Sequence, residues 1–191
     1  MKTQASVIVI HGYTDSPDRL CYHWLRHQLD VRNIHVAIPQ MPVPNHPNET
    51  EWLDKIDSLI SVSESPIILI GHSLGGLAVL RWLEVRASEP IHAVISLAGV
   101  TDPTLHPDTT FASEWHTPHH WKRMQENASN IVGIYSQDDT SVAPAEGERL
   151  KNTLNATLVM VNGRGHFTDD DGVNDLPELL QSIDALVQLA K

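Results

Sequence analysis

Short apolar runs alternate with longer amphipathic stretches along nearly the whole chain. The short runs are rich in Val and Ile, which is typical of buried strands, whereas the longer stretches repeat their apolar positions at helical spacing. Because strand and helix alternate, we predict an α/β fold in which helices flank both faces of a mostly parallel sheet of about six strands. The predicted strands are 6–11, 34–38, 66–71, 91–98, 131–136 and 156–161, and the predicted helices are 18–30, 50–61, 74–86, 144–154 and 176–190.

Two segments interrupt this alternation. Residues 39–49 contain four prolines, and residues 99–128 are rich in His and Trp with little clear periodicity. Both follow predicted strands, and ligands of open α/β sheets bind at the carboxyl ends of the strands. The two segments are therefore candidate walls of a pocket, although each could be a simple connection. The candidate pocket residues are Met41, His72, Trp115 and Trp121.

Length and charge limit the functional classes. A chain of 191 residues that is 41% hydrophobic can bury one core, so we predict a single domain over residues 1–191. Lys and Arg number 13 against 24 Asp and Glu, a formal net charge of −11. Such a charge repels nucleic acids and anionic membranes, so we expect neither as a partner.

The cysteine content and the lengths of the apolar runs bear on location. Cys21 is the only cysteine, so the chain has no internal disulfide, and we expect its thiol to be buried. No apolar stretch reaches the roughly 18 residues that a membrane span needs. The run Val7 to Ile10 is too short and too early for a signal-peptide core. We therefore expect a cytoplasmic protein without membrane insertion.

The most informative motif is Gly-His-Ser-Leu-Gly at residues 71–75. It joins an apolar strand to an apolar helix, so Ser73 falls on a tight strand-to-helix turn. Such a turn exposes the serine hydroxyl and leaves space only for small residues two positions before and after it, where Gly71 and Gly75 stand. The following helix also directs free N–H groups at the serine oxygen. We predict that Ser73 is a nucleophile.

A serine nucleophile needs a base and an acid, which in this type of fold follow in the order Ser, acid, His. His166 follows the last predicted strand in a glycine-flanked loop and is the best candidate base. Asp139 follows the strand 131–136 and is the preferred acid. Asp138 is its nearest rival, and Asp102 is a further candidate.

An acyl-transfer intermediate also needs two N–H donors for its oxyanion. Leu74 supplies one as the residue after the nucleophile, and Tyr13 supplies the second from the loop after the first strand. Gly12 allows that loop to approach closely. We interpret His11 as a structural residue that braces the loop.

These motifs support a family resemblance over almost the entire chain. The stretches VIVIHGYTDSP, PIILIGHSLGG, YSQDDTSV and GRGHF resemble the small α/β-hydrolase-fold serine hydrolases, which include YdeN-like proteins and retinoblastoma-binding protein nine. The resemblance implies a hydrolase without a large cap domain, a triad of Ser73, Asp139 and His166, and no cofactor. The histidine-rich segment departs from the family pattern.

The expected activity is therefore hydrolysis of a carboxylic ester, with a short acyl chain, by a carboxylesterase-like serine hydrolase acting on a small-molecule substrate and water. Amidase and thioesterase activities use the same residues. A non-catalytic binding or scaffold protein on a hydrolase fold is the alternative from another class.

A metal-dependent hydrolase is a further alternative. His116, His119 and His120, with Asp108 and Glu114 nearby, are of suitable ligand types. Pro118 argues against the helix that would place His116 and His120 on one face, so we predict no metal site.

Overall fold

Six parallel strands form one sheet in the order β2-β1-β3-β4-β5-β6. The computed structural model of the chain describes residues 5–63, 65–107, 109, 111 and 114–190. The strands are β1 (Ser6–Ile10), β2 (His35–Ala37), β3 (Ile67–His72), β4 (Ala93–Leu97), β5 (Ile131–Ser136) and β6 (Thr157–Val161). The helices are α1 (Leu20–Val31), α2 (Glu49–Ile60), α3 (Leu74–Val85), α4 (Trp121–Glu126), α5 (Ala145–Leu154) and α6 (Pro177–Leu189).

Alternating side chains of the strands pack into two apolar layers, one on each face of the sheet. In β1, Ile8 and Ile10 join a cluster with residues of α2 and α3, whereas Val7 and Val9 join a cluster with residues of α1 and α6. Every residue of β1 and β3 is buried. Covering both faces requires the continuous Ile and Val runs that the sequence shows, and the predicted α/β architecture is confirmed.

The observed elements lie within one or two residues of the predicted bounds, and one helix was missed. Helix α4 has six residues, and its preceding backbone N–H groups, those of His119 and His120, donate to Glu84 on α3. The carboxylate that anchors the chain just before α4 is thus remote in sequence, and the local pattern does not reveal it. The longest connection, residues 98–120, is too short for a large cap domain. None of the described helices is both long and apolar enough to span a membrane.

Candidate active site

Ser73 lies on the one-residue turn between β3 and α3. Its φ of 56° and ψ of −123° are outside the regions that L residues ordinarily adopt. Main-chain hydrogen bonds hold this conformation, because Ser73 N–H donates to Leu97 O at 3.1 Å and Ser73 O accepts from Val100 N–H at 3.0 Å. The strained turn is thus fixed by β4 and the residues that follow it.

Close backbone packing explains the two glycines that flank Ser73. A Cβ on Gly71 would lie 2.4 Å from Gly75 O, and a Cβ on Gly75 would lie 2.1 Å from Ile10 O. Neither distance is possible without moving main chain, so these positions accept only glycine. The turn therefore rests directly on the backbone of β1.

The loop after β1 lies against the serine. A Cβ on Gly12 would be 2.8 Å from Ser73 Cβ, and both Gly12 and Tyr13 line the cleft that Ser73 lines. Leu74 is the first residue of α3, so its N–H has no acceptor within the helix. Gly12 and Tyr13 thus lie beside Ser73 in the cleft, and Leu74 follows the serine directly at the start of α3.

His166 pairs with Asp139. His166 Nδ1 lies 2.8 Å from Asp139 Oδ2, and Asp139 is 7% exposed. The other carboxylate oxygen, Oδ1, accepts from Ser141 N–H and Val142 N–H at 2.8 and 2.9 Å. A carboxylate accepts at both oxygens, so His166 carries a proton on Nδ1 and donates it to Asp139.

The two rival acids have other partners. Asp138 accepts from Ser136 Oγ, Gly163 N–H and Gly165 N–H, and these hydrogen bonds, led by that from Ser136, lower its pKa. Asp102 caps the short 3-10 helix Pro103–Leu105 through Thr104 N–H. Asp138 therefore holds the loop that carries His166, and Asp102 holds the loop after β4.

Asp171 gives the loop around His166 a further anchor. Asp171 Oδ2 accepts from His166 N–H at 2.9 Å and from the Thr168 hydroxyl at 2.6 Å. Burial raises the pKa of Asp171, but the hydrogen bonds of Thr168 and His166 outweigh it and the pKa is lowered. The positive φ values at Gly165 (47°) and Phe167 (60°) show how tightly the loop turns around the base.

Ser73 and His166 line a cleft of about 360 Å³. Its apolar wall consists of Tyr13, Val100, Phe111 and Val142, and its polar side includes Arg19, His106, Asp170 and Asp171. The rings of Tyr13 and Phe111 meet edge to face at 5.6 Å. The cleft suits a compact group beside the serine.

Three of the four candidate pocket residues lie elsewhere. Met41 is 1% exposed in the core, and Trp115 packs edge to face on Trp52 at 5.6 Å while its indole N–H donates to Pro47 O. Trp121 begins α4 and packs on the same core cluster. A large apolar side chain in an irregular segment is stabilised more by burial in the core under the loop than by partial exposure at an open cleft. The sequence alone does not distinguish these two positions.

His72 lines the cleft, but both of its ring nitrogens have protein partners. Nε2 lies 2.9 Å from His166 O, and Nδ1 lies 3.2 Å from the Tyr22 hydroxyl and 3.6 Å from Asp15 Oδ2. The side chain is buried. His72 is thus a connecting residue between the serine turn and the histidine loop.

Three buried glutamates, which sequence reasoning missed, hold the segment 101–120. Glu146 accepts from Thr101 N–H and from the His106 ring at 2.7 Å, and Glu49 accepts from His116 N–H at 2.7 Å. Glu84 accepts from the N–H groups before α4 and pairs with Arg81. Burial raises the pKa of Glu84, but these hydrogen bonds and the Arg81 charge reverse the effect and lower it. Each glutamate lies on a helix far from its partner in sequence, so no local motif signals the contact.

The histidine-rich segment also bears on the metal alternative. Among the described residues, Glu84, His119 and His120 each bring a ligand atom within 4.8 Å of the others. The Glu84 carboxylate accepts from the N–H groups of His119 and His120 and pairs with Arg81. These contacts explain the cluster as a structural contact between α3 and the residues before α4. His116 pairs with Glu49, Glu114 is not part of the group, and Asp108 lies outside the described residues.

His11 fixes the loop after β1. Met41 N–H donates to His11 Nε2 at 3.0 Å, so the proton resides on Nδ1, which lies 3.0 Å from Gly12 O. Burial lowers the pKa of His11 below its ordinary value of 6.5 and keeps the ring neutral at neutral pH. The ring is completely buried and does not line the cleft.

A family model and several relatives match most of this chain. The model of the serine hydrolase family matches residues 7–185. The chain belongs to the serine hydrolase family. Among relatives of this serine hydrolase, the YdeN protein of Bacillus subtilis is 30% identical over 174 residues, which are 90% of each chain. The serine hydrolase RBBP9 of Rattus norvegicus is 25% identical over 170 residues, 88% of this chain and 89% of its own.

Solved structures share the fold of this serine hydrolase. The crystal structure of the ydeN gene product from B. subtilis gives a TM-score of 0.87 at 26% identity and covers 96% of this chain and 99% of its own. Est1E from Butyrivibrio proteoclasticus gives 0.74 at 16% identity, over 98% of this chain and 87% of its own. The fold is that of the α/β hydrolases, and the resemblance seen in the sequence motifs is confirmed.

Proposed function

We propose that this serine hydrolase cleaves small carboxylic esters through a triad of Ser73, His166 and Asp139. The observation that carries the proposal is the 2.8 Å hydrogen bond between Asp139 Oδ2 and His166 Nδ1, beside a cleft that Ser73 also lines. In the neutral ring this pairing puts the proton on Nδ1, so that Nε2 has the free lone pair that a general base requires, and a buried carboxylate orients the ring.

In the first half of the reaction, His166 Nε2 takes the Ser73 hydroxyl proton while Ser73 Oγ forms a bond to the ester carbonyl carbon. The N–H groups of Tyr13 and Leu74 stabilise the oxyanion that develops. His166 then donates its proton to the alkoxy oxygen, the ester C–O bond breaks, and an acyl-Ser73 remains.

In the second half, His166 takes a proton from water, whose oxygen attacks the acyl carbon. A second tetrahedral intermediate forms against the same two N–H groups. Its collapse breaks the bond to Ser73 Oγ, which recovers its proton from His166. Alcohol and carboxylic acid are the products, and no electron acceptor or cofactor takes part.

The shape of the cleft supports a short acyl chain. A volume of about 360 Å³ is near the lower end of ligand sites, and aromatic rings close one side of it. Amides and thioesters can react through the same groups, because the leaving group is selected by pocket contacts rather than by the triad. We expect a small-molecule substrate, water as second substrate and a cytoplasmic location, with no nucleic acid partner.

Labelling with a fluorophosphonate probe tests the proposal. We expect the wild-type chain to label rapidly, and Ser73→Ala and His166→Ala to lose labelling and hydrolysis of p-nitrophenyl acetate by about 10³-fold or more. Ser182→Ala on α6 is a matched control, since its hydroxyl bonds only to Glu178 O within its own helix. A folded wild-type chain that neither labels nor hydrolyses any acyl ester would favour the scaffold alternative. Activity that survives Ser73→Ala and disappears with a chelator would favour a metal-dependent hydrolase.

A further inference from the structure

We propose that His72 is a positioning residue that ties the catalytic base to the nucleophile, by donating a hydrogen bond from its Nε2–H to the main-chain carbonyl of His166. The inference rests on the proposed function, since it concerns the alignment of Ser73 and His166. It assigns to His72 a role different from the substrate contact that its sequence position predicted.

The protonation of the ring follows from its partners. His72 Nε2 lies 2.9 Å from His166 O, and a carbonyl oxygen only accepts hydrogen bonds, so Nε2 must carry a proton. On the other side of the ring, the Tyr22 hydroxyl lies 3.2 Å from Nδ1. Burial raises the pKa of Tyr22 far above its ordinary range, so its hydroxyl keeps its proton and donates it to Nδ1. The neutral ring is thus satisfied at both nitrogens.

The carboxylate of Asp15 lies on the Nδ1 side of the same ring. Its Oδ1 accepts from Ser16 N–H at 2.8 Å and from Arg19 Nε, while Oδ2 has no hydrogen-bond partner and lies 3.6 Å from His72 Nδ1. If the ring takes up a second proton, Nδ1–H meets this buried carboxylate. The Nε2–H donor to His166 is retained in either protonation state, so the connection does not depend on which state is present.

The connection matters because of what else holds His166. Asp171 fixes the N–H of His166 and Asp139 fixes its Nδ1, but Asp171 belongs to the same loop and Asp139 follows β5. Among these three anchors, only His72 is joined by a peptide bond to Ser73. The rings of His72 and His166 also lie 5.0 Å apart, so the base packs on this residue. A shift of the loop relative to the serine turn must therefore break the His72 contact.

Two amide variants separate this role from simple packing. In His72→Gln the side-chain amide nitrogen reaches the place of Nε2 and keeps the donor to His166 O. In His72→Asn the amide reaches only the place of Nδ1, so it keeps a partner for Tyr22 and loses the donor to His166. Both variants carry the same chemical group and remove the same ring.

We expect His72→Asn to lower kcat about 10- to 100-fold with KM changed little, because a misplaced base costs rate rather than binding. We expect His72→Gln to restore kcat to within about 3-fold of wild type. Tyr22→Phe, which removes only the Nδ1 partner, is expected to behave like His72→Gln. Equal kcat values for the Asn and Gln variants, or losses that follow only the melting temperature, would overturn the proposal.

NMR on the wild-type chain gives a test that does not depend on variants folding. With ¹⁵N-labelled histidine, we expect the His72 Nε2 proton to exchange slowly with water and to show coupling to the His166 carbonyl. A ring protonated only on Nδ1, or a rapidly exchanging Nε2 proton, would overturn the proposal. If the proposed function is wrong, the wild-type chain will not be labelled by the fluorophosphonate probe. The NMR measurement still tests the hydrogen bond between His72 and His166 in that case.

Discussion

The serine turn and the histidine loop bring Ser73 and His166 to one cleft by different physical means. The turn at Ser73 is fixed by steric contact, since a Cβ on Gly71 or Gly75 would collide with main-chain oxygen. The loop at His166 is fixed by polar contact, since the carboxylates of Asp138 and Asp171 bind its N–H groups. The steric contacts of the serine turn can be recognised in the sequence from the spacing of its glycines. The polar contacts of the histidine loop are indicated in the sequence only by several nearby aspartates.

The largest expected effect separates Asp139 from its neighbour in sequence. We expect Asp139→Asn to lower kcat/KM by about 10³-fold or more, because an amide does not stabilise the imidazolium and admits the wrong tautomer. We expect Asp138→Asn to cost about 10-fold or less, because one amide oxygen still accepts from the loop. Steady-state kinetics on one ester measure both variants. Similar losses in the two would mean that the acid is wrongly assigned.

Glycine substitutions compare steric with conformational constraint. Gly75→Ala is expected to lower the free energy of unfolding by about 3 kcal/mol, because its Cβ would lie 2.1 Å from Ile10 O. Gly163→Ala, in the histidine loop, has no atom within 4 Å of the new Cβ and a φ of 70°. Gly163→Ala should therefore lower the free energy of unfolding by only about 1 kcal/mol, because alanine disfavours the left-handed backbone conformation. Urea denaturation measures both, and a Gly75→Ala chain no less stable than Gly163→Ala would contradict the steric account.

Removing one polar anchor should affect catalysis more than stability. Asp171→Ala leaves His166 N–H and Thr168 without their acceptor, and we expect kcat to fall about 10-fold with a loss of about 1 kcal/mol in stability. Asp54→Ala on α2, which removes an exposed ion pair with Arg86 at the end of α3, is the matched control. An Asp171→Ala variant with wild-type kcat would show that the loop holds its shape without this carboxylate.

The smallest expected effect concerns the pH dependence of stability. Burial lowers the pKa of His11 below 6.5 in the folded chain. As the pH falls, His11 therefore takes up its proton at a higher pH in the unfolded chain than in the folded chain. The free energy of unfolding therefore falls as the pH drops through about 6.5, and the full contribution is present only about one pH unit above that value. We expect the melting temperature to decline between about pH 7.5 and about pH 5.5, and His11→Asn to weaken that decline. An unchanged slope in the variant would assign the effect to other histidines.

The same contrast explains what the sequence predicted. The strands, the helices around them and the turn at Ser73 follow from apolar runs and glycine spacing, which are local. Asp138 and Asp139 both follow β5, and only the direction of each side chain determines which one meets His166. The sequence did not indicate that Trp115 and Trp121 pack on the core, because the residues that they contact there are far along the chain. The sequence gives no local sign of such contacts.

The segment that borders the cleft depends on three fixed points, the carboxylates of Glu49, Glu84 and Glu146. Between those points none of the described residues takes part in the sheet, so lengthening a span there costs only the slowly growing entropy of a longer loop. Insertion or deletion between the anchors would therefore widen or narrow the cleft, while the sheet and the contact between Asp139 and His166 remain untouched. The wall can therefore evolve independently of the sheet.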